Sequence, residues 1–411
     1  MKLSPQMRGT IRKQSWLNAY WIPLNFQQVA LLAIAVPAAL LQLTGRNHVI
    51  AFAQASTVAA MIAIVVPPSF GWLGDCLWRR GVSRNYTIYA GALVNTLGLL
   101  YMVFANTWSA LDIGFFISAF GHQLSLSAYQ TLIPEVVPRR NWGIAAGVRG
   151  AATLLGTAIA LTVASLISPS MVFLAAAIFT SAGVFTIIPI REKRYARRIE
   201  DQRESRERVT ISDWHDFIVV FISRSLTLFG MSLLMTYVLY FFKDVLHQMH
   251  PSTGTALVAG IALVGSIVSS VFAGKLSDRF TRKRLVALAT IPMALCTAVF
   301  AAFPVLWIVI PFALFFGLGY GAFLATDWAL GIDSVPQLRD VARDLGIWGI
   351  ASGLPAVLAP AFGGWLLTHF GDGLTGYRWM FSIASLSFVL GAFVVLQVRR
   401  DSRPRRENTA A

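Results

Sequence analysis

The chain has 411 residues, 56% of them hydrophobic and only 13% charged, with a formal net charge of +15. Length alone would suit two or three soluble domains, but apolar runs of about twenty residues recur from end to end, and each can cross a hydrocarbon core about 30 Å thick. So large a basic excess would point to nucleic acid in a soluble protein. Here it sorts to one side of the apolar runs and needs no nucleic-acid partner.

In chain order the apolar stretches are 16–43, 48–70, 85–104, 109–133, 142–167, 171–190, 217–242, 254–273, 285–302, 305–330, 346–368 and 379–398. Backbone polar groups in lipid must bond within their own segment, and without alternating barrel strands each stretch is expected to be a helix. Prolines inside them, such as Pro37, Pro292, Pro311 and Pro355, need not end a membrane helix. One side of these spans receives Lys2, Arg8, Arg12, Lys13, Arg79, Arg80, Arg84, Arg139, Arg140, the run from Arg191 to Arg208, the basic residues of 274–283, Arg339, Arg343 and the tail from Arg399 to Arg406; the other receives Arg46, Lys243 and Arg378. This bias sets both termini in the cytoplasm of a multi-pass cell-membrane protein. No cleavable leader is visible ahead of the first span. Cys76 falls in a cytoplasmic loop and Cys296 in a span, so both should stay reduced.

The polar segment 191–216 separates two sets of six spans, giving an N-terminal bundle over 1–190, a basic cytoplasmic linker, a C-terminal bundle over 217–398 and a tail over 399–411. The linker's basic residues suit anionic headgroups. Sequence echoes support duplication. Gly71–Arg80 (GWLGDCLWRR) returns about two hundred residues later as Gly274–Lys283 (GKLSDRFTRK). Aligned without a gap, Gly71 meets Gly274, Leu73 meets Leu276, Asp75 meets Asp278, Arg79 meets Arg282 and Arg80 meets Lys283. Each copy reads as a short loop between two membrane helices. After the fourth span comes Pro134-Glu135-Val136-Val137-Pro138, and after the tenth Asp333-Ser334-Val335-Pro336, so an acid, two residues and a proline recur. The fifth and eleventh spans both open with stripes of small residues, Gly143, Ala146, Gly147, Gly150 and Gly156 against Gly346, Gly349, Ser352 and Gly353, which allow close helix packing.

The repeated Gly-x-Leu-x-Asp-x-x-x-Arg-Arg/Lys, between spans two and three and again between eight and nine, resembles the signature loop of the major facilitator superfamily. The first copy departs from the family pattern at Cys76 and Trp78, and the second at Thr281. The resemblance implies an all-α membrane protein of 12 transmembrane helices in two pseudo-symmetric six-helix bundles, working by alternating access. It also implies that Gly71, Asp75, Arg79, Arg80, Gly274, Asp278, Arg282 and Lys283 form a gating motif on the cytoplasmic face. A shorter similarity, in Pro-Glu-Val-Val-Pro and in Ala342-Arg343-Asp344-Leu345-Gly346, is to the sugar-cation symporter branch. The acidic pair that sodium-coupled members carry in the second span has no counterpart here, which leaves proton coupling or facilitated diffusion.

Charge inside a span is costly unless it is paired or wet. Arg149, Arg224 and Asp327 fall at similar depth and are expected to form an inner network, whereas Asp112 is close enough to the outer end to be solvated. His122, beside Gln123 near the middle of the fourth span, can change charge in the physiological range and is the candidate proton site. Asn25, Gln28, Gln54, Tyr129, Tyr237, Tyr240 and Trp328 complete a candidate solute pathway, whose uncharged donors and aromatic faces suit a neutral polyol or an amphipathic organic molecule rather than phosphate. The sequence has no phosphate-cradling Gly-rich loop, no metal-ligand spacing and no nucleophile elbow, so neither enzyme activity nor a cofactor or metal is expected. Small-solute transport by a monomer is the expectation, as proton-coupled sugar symport or as proton-coupled export of a drug or metabolite; a non-transporting sensor or assembly factor is the rival from another class.

Overall fold

The computed structural model describes residues 16–44, 48–138, 141–188, 211–247, 251–336, 340–371 and 373–399. Most of the expected linker and all but the first residue of the tail lie outside these. Its helices are α1 (Trp21–Ala30), a π-helical turn (Leu31–Ala35), α2 (Val36–Thr44), α3 (His48–Arg79), α4 (Arg84–Val103), α5 (Trp108–Tyr129), α6 (Leu132–Val136), α7 (Trp142–Leu166), α8 (Pro169–Val184), α9 (Ile211–Asp244), α10 (Pro251–Ser277), α11 (Arg282–Ala302), α12 (Leu306–Ser334), α13 (Val341–Phe370) and α14 (Leu374–Val395). Every apolar stretch of the sequence coincides with a helix or, for the first, with α1, the π turn and α2 in succession. The break has a chemical cause: Pro37 has no N–H to donate to residue 33, and the helix widens over Leu31–Ala35 before it resumes.

Among the described residues, nine helices are long and apolar enough to span a membrane, with mean hydropathies from 1.3 to 2.2. Their outward faces carry large apolar side chains such as Leu93 and Leu97 of α4 and Leu288 and Leu295 of α11. Trp108, Trp307 and Trp379 are exposed near helix ends, as amphipathic rings at a lipid–water boundary are. Helix starts follow local chemistry. Ser83 and Thr107 cap α4 and α5 by accepting the N–H of Asn85 and Ala110, and Pro169 opens α8.

One expectation is corrected. Gly71–Arg79 is not a loop but the last turns of α3, and Gly274–Ser277 is the last turn of α10. Both helices continue past their apolar windows, because polar residues at a helix end are invisible to hydropathy yet keep helical hydrogen bonds.

By contacts the chain forms two compact units. The first is Met1–Pro138 with Ala152–Arg208 and Gln337–Ile350; the second is Arg139–Ala151 with Val209–Pro336 and Ala351–Ala411. Thus the openings of α7 and α13 each belong to the unit other than that of their sequence half.

Close approach in the first unit runs through glycine. A Cβ on Gly98 of α4 would lie 2.8 Å from the carbonyl oxygen of Gly114 on α5, and one on Gly91 equally near that of Gly121. A buried amide network joins α1, α4, α5 and α8: Gln27 and Asn95 exchange amide hydrogen bonds of 2.8 and 2.7 Å, Ser118 donates to Asn95 at 2.8 Å and Thr180 to Gln27 at 3.1 Å. In the second unit, Gly317 and Gly321 of α12 lie directly on the backbone of Ala262 and Ser266 in α10.

Candidate functional site

The first unit holds a buried chain of charges. Asp75, fully buried in the last turns of α3, accepts the backbone N–H groups of Ala342 at 3.4 Å and Arg343 at 3.0 Å, at the start of α13. A carboxylate there satisfies first-turn donors that the helix cannot bond itself and meets the positive end of its dipole. Arg84, the first residue of α4, donates from Nη2 to Asp75 at 2.7 Å and from Nε to Glu135 of α6 at 2.5 Å. Gly71, one turn before Asp75, has the Ala342 carbonyl group where a side chain would begin, with its carbon 2.7 Å from an ideal Cβ.

The second unit repeats the arrangement with different residues. Asp278 accepts the N–H groups of Gly143 at 2.7 Å and Ile144 at 2.8 Å, at the start of α7. Arg282, the first residue of α11, lies 3.5 Å from Asp278 and donates to Asp333 at the end of α12 at 2.5 Å. Gly274 again touches the facing backbone, with an ideal Cβ 2.6 Å from the Gly143 oxygen. Asp278 lies just past the end of α10. Burial pushes its carboxyl above the ordinary carboxylate range, against the opposing pull of the two N–H groups and Arg282.

Each unit therefore contains an aspartate on a helix N-terminus, an arginine opening the next helix, and a second carboxylate. The Glu135 and Asp333 seen in the sequence echo fill the last place. Arg84, which the ungapped alignment passes over, fills the place that Arg282 has in the second copy. Arg79, aligned with Arg282, instead meets Asp340 at 3.4 Å and Cys76 Sγ at 3.0 Å in a more exposed position, and Arg80 is exposed. Lys283 donates to the carbonyl of Val398 at 2.6 Å. A usable signal was present: Arg84 follows the helix-capping Ser83 as Arg282 follows Thr281.

A profile of the Major Facilitator Superfamily matches residues 24–248 and 220–411. The chain belongs to this superfamily. It is 31% identical over 121 residues to an uncharacterised MFS-type transporter of Mycobacterium tuberculosis, 29% of this chain and 17% of that one. It is 27% identical over 153 residues to the gentisate transporter of Corynebacterium glutamicum, 34% of this chain and 31% of that one. The matched region thus spans less than a third of either relative. Among solved structures, a proton:xylose symporter bound to a bromodeoxyglucose superposes with a TM-score of 0.73 over 96% of this chain and 97% of that one at 14% identity, a likeness of fold. The chain is thus a multi-pass membrane protein of the twelve-helix facilitator fold, from a superfamily of small-solute transporters.

The facilitator's second unit also brings together the charges expected inside its spans. Arg224 of α9 bonds Asp327 of α12 through Nη1 and the Ser352 hydroxyl of α13 through Nε and Nη2, at 3.1 and 2.8 Å. Arg149 of α7 lies over the Trp328 indole, 4.8 Å from the ring centroid. His122 is buried on α5, and its Nδ1 has no hydrogen-bond partner among the described residues.

Other expected pathway residues are spent elsewhere. Asn25 donates to the Trp21 carbonyl at 3.0 Å and Thr153 at 3.4 Å. The Tyr129 hydroxyl donates to the Leu17 carbonyl at 2.5 Å while its ring packs on Tyr20 and Trp21. Tyr237 donates to the Pro360 carbonyl at 2.6 Å. Gln28 and Tyr240 are exposed and Gln123 is half-buried, while the Gln54 side chain lies outside the described residues.

Proposed function

We propose that the facilitator is a proton-coupled secondary transporter of a small organic solute, working as a monomer in the cell membrane with both termini cytoplasmic, and that its two aspartate–arginine–carboxylate clusters are the latch of alternating access. The observation that supports this is the doubling: the same acid-to-helix-start arrangement occurs on unrelated partner residues. Each latch is released when the aspartate leaves the helix start, and each is strong because the bonds it breaks are buried and charge-assisted.

A cysteine at Gly349, where nothing lies within 4 Å of an ideal Cβ, reports opening in a variant carrying Cys76→Ser. In inside-out vesicles, labelling by a membrane-impermeant maleimide should rise several-fold when Asp75→Asn and Asp278→Asn are added. Unchanged labelling rules the latch out. The non-transporting alternative is separated by solute counterflow in proteoliposomes.

We assign the proton to His122. Its near neighbours along the helix face, Ser118 and Ser125, are bonded to Asn95 and Tyr20, so a histidine without a bonded Nδ1 is held among neutral groups and can take up a proton when water reaches it. His122→Gln should abolish accumulation driven by a pH gradient and leave counterflow intact. Retained accumulation excludes the assignment.

A further inference from the structure

We infer that the groove between α11 and α14, at the end of α11 far from Arg282, is a phospholipid site in which Arg378 and Ser382 hold the phosphate and small residues admit the start of an acyl chain. Both helices belong to the second unit. The groove is a cavity of about 330 Å³ lined by Ala298, Ala301, Ala302, Arg378, Ser382 and Ser385. A helix of 21 residues, about 30 Å long, separates it from the cluster of Asp278, Arg282 and Asp333.

Arg378 has one structural duty there. The Ala301 carbonyl lies in the last turn of α11, and the N–H of Val305, which would have continued the helix, bonds Phe303 instead at 2.8 Å. Arg378 Nε donates to the Ala301 carbonyl at 3.2 Å and brings a cation to a helix C-terminus. A guanidinium has further N–H donors on its two Nη atoms, and neither of these has an acceptor among the described residues. Arg378 is exposed, and no carboxylate lines the groove. Ser382, four residues further along α14 and so on the same helix face, is exposed too, and its hydroxyl has no partner among the described residues. Ser385 differs, since it donates to the Ala294 carbonyl at 2.9 Å.

The surroundings decide what accepts from these donors. Leu295 of α11 and Trp379 and Leu386 of α14 are exposed beside them, so the polar stripe lies on an otherwise apolar face, and an exposed tryptophan marks the lipid–water boundary. Donors in such a place take their acceptors from the lipid itself. A phosphodiester supplies them, because an arginine can give two parallel hydrogen bonds to phosphate oxygens. Free phosphate would meet the same nitrogens but leave the alanine slot and the leucine faces uncovered, whereas a phospholipid covers both.

Native mass spectrometry of the purified full-length protein in detergent reads this occupancy, with phosphatidylglycerol as the probe and diacylglycerol of the same chains as its phosphate-free counterpart. Phosphatidylglycerol should bind at least about fivefold more tightly than diacylglycerol, and Arg378→Gln should remove that preference. Arg378→Lys, which keeps the charge but not the fork, should lose part of it, as should Ser382→Ala. Ala298→Phe fills the slot without altering charge and should weaken phosphatidylglycerol by a similar factor. Lys243→Gln removes a cation from the same end of the unit, where its neighbour Asp244 bonds Tyr377, and should change nothing. If Arg378→Gln does not elute as folded protein on size exclusion, Arg378→Lys, Ser382→Ala and Ala298→Phe decide. Equal binding of the two lipids, binding untouched by the Arg378 or Ala298 variants, or a loss in Lys243→Gln as large as in Arg378→Gln overturns the inference. Displacement of the lipid by equimolar inorganic phosphate overturns it too, since the groove would then be an anion site only. Lipid binding in detergent needs neither solute nor latch, so it fails separately from the transport reading.

Discussion

Replacing Arg84 by Gln tests which arginine belongs to the first cluster. Arg84 is 2% exposed and joins Asp75, 0% exposed, to Glu135, 11% exposed. Removing the guanidinium leaves two carboxylates without their shared cation, and breaking a buried pair in this way costs about 3–5 kcal/mol. Arg79 is 26% exposed and 3.4 Å from Asp340, a geometry in which an ion pair contributes about 0–1 kcal/mol. The two variants should therefore differ by at least about 2 kcal/mol, a factor of about thirty in the folded population. Arg282→Gln should resemble Arg84→Gln, since it too holds two carboxylates. Denaturant unfolding of the purified variants, followed by tryptophan fluorescence, measures this. If Arg79→Gln costs as much as Arg84→Gln, the correspondence between Arg84 and Arg282 is wrong.

Gly321→Leu should destabilise by about 1–3 kcal/mol or more, because its Cβ would fall on the Ser266 backbone, whereas Gly260→Ala, with nothing within 4 Å, should stabilise α10 by about 0.5–1 kcal/mol in the same unfolding assay. Gln27→Leu strips partners from Asn95 and Thr180 and should cost about 1–3 kcal/mol. The pH dependence of Asp278 has a definite sign. Its carboxyl is raised in the folded chain, so its contribution to stability is fully present below the ordinary carboxylate pKa and lost as pH rises through the raised one; a stability-versus-pH series should show this fall, and Asp278→Asn should remove it.

The helices were legible because lipid leaves the backbone one solution, and apolar length reports it directly. Also legible were the two aspartates, the paired acids Glu135 and Asp333, and the meeting of Arg224 with Asp327. Arg84 was not, and the reason is a difference in how two helices end. α10 stops at Ser277, just before Asp278, and Arg282 follows the cap Thr281 directly. α3 runs on to Arg79 and then turns, with Gly81 at φ 86° and bonds from Gly81 to Trp78 and from Val82 to Leu77 at 2.9 and 3.1 Å. That is a helix stop built on a left-handed glycine. It turns the chain after α3 and delivers Arg84, five residues after Arg79, to the same chemical place. An alignment without gaps follows residue count, whereas the arginine follows the cap.

The same logic explains why the two clusters differ so much in sequence. Each aspartate bonds main-chain N–H groups, and every residue except proline offers one. The partners Ala342 and Arg343 in one unit and Gly143 and Ile144 in the other therefore need no side chain in common. What the arrangement does require is access: a glycine one turn before the acid, so that the facing backbone can come within bonding distance. Gly71 and Gly274 both have that backbone where a Cβ would sit. Of the residues kept between the copies, the glycines admit the facing backbone and the aspartates carry the charge, whereas the helix-start residues that contribute only their peptide bonds differ.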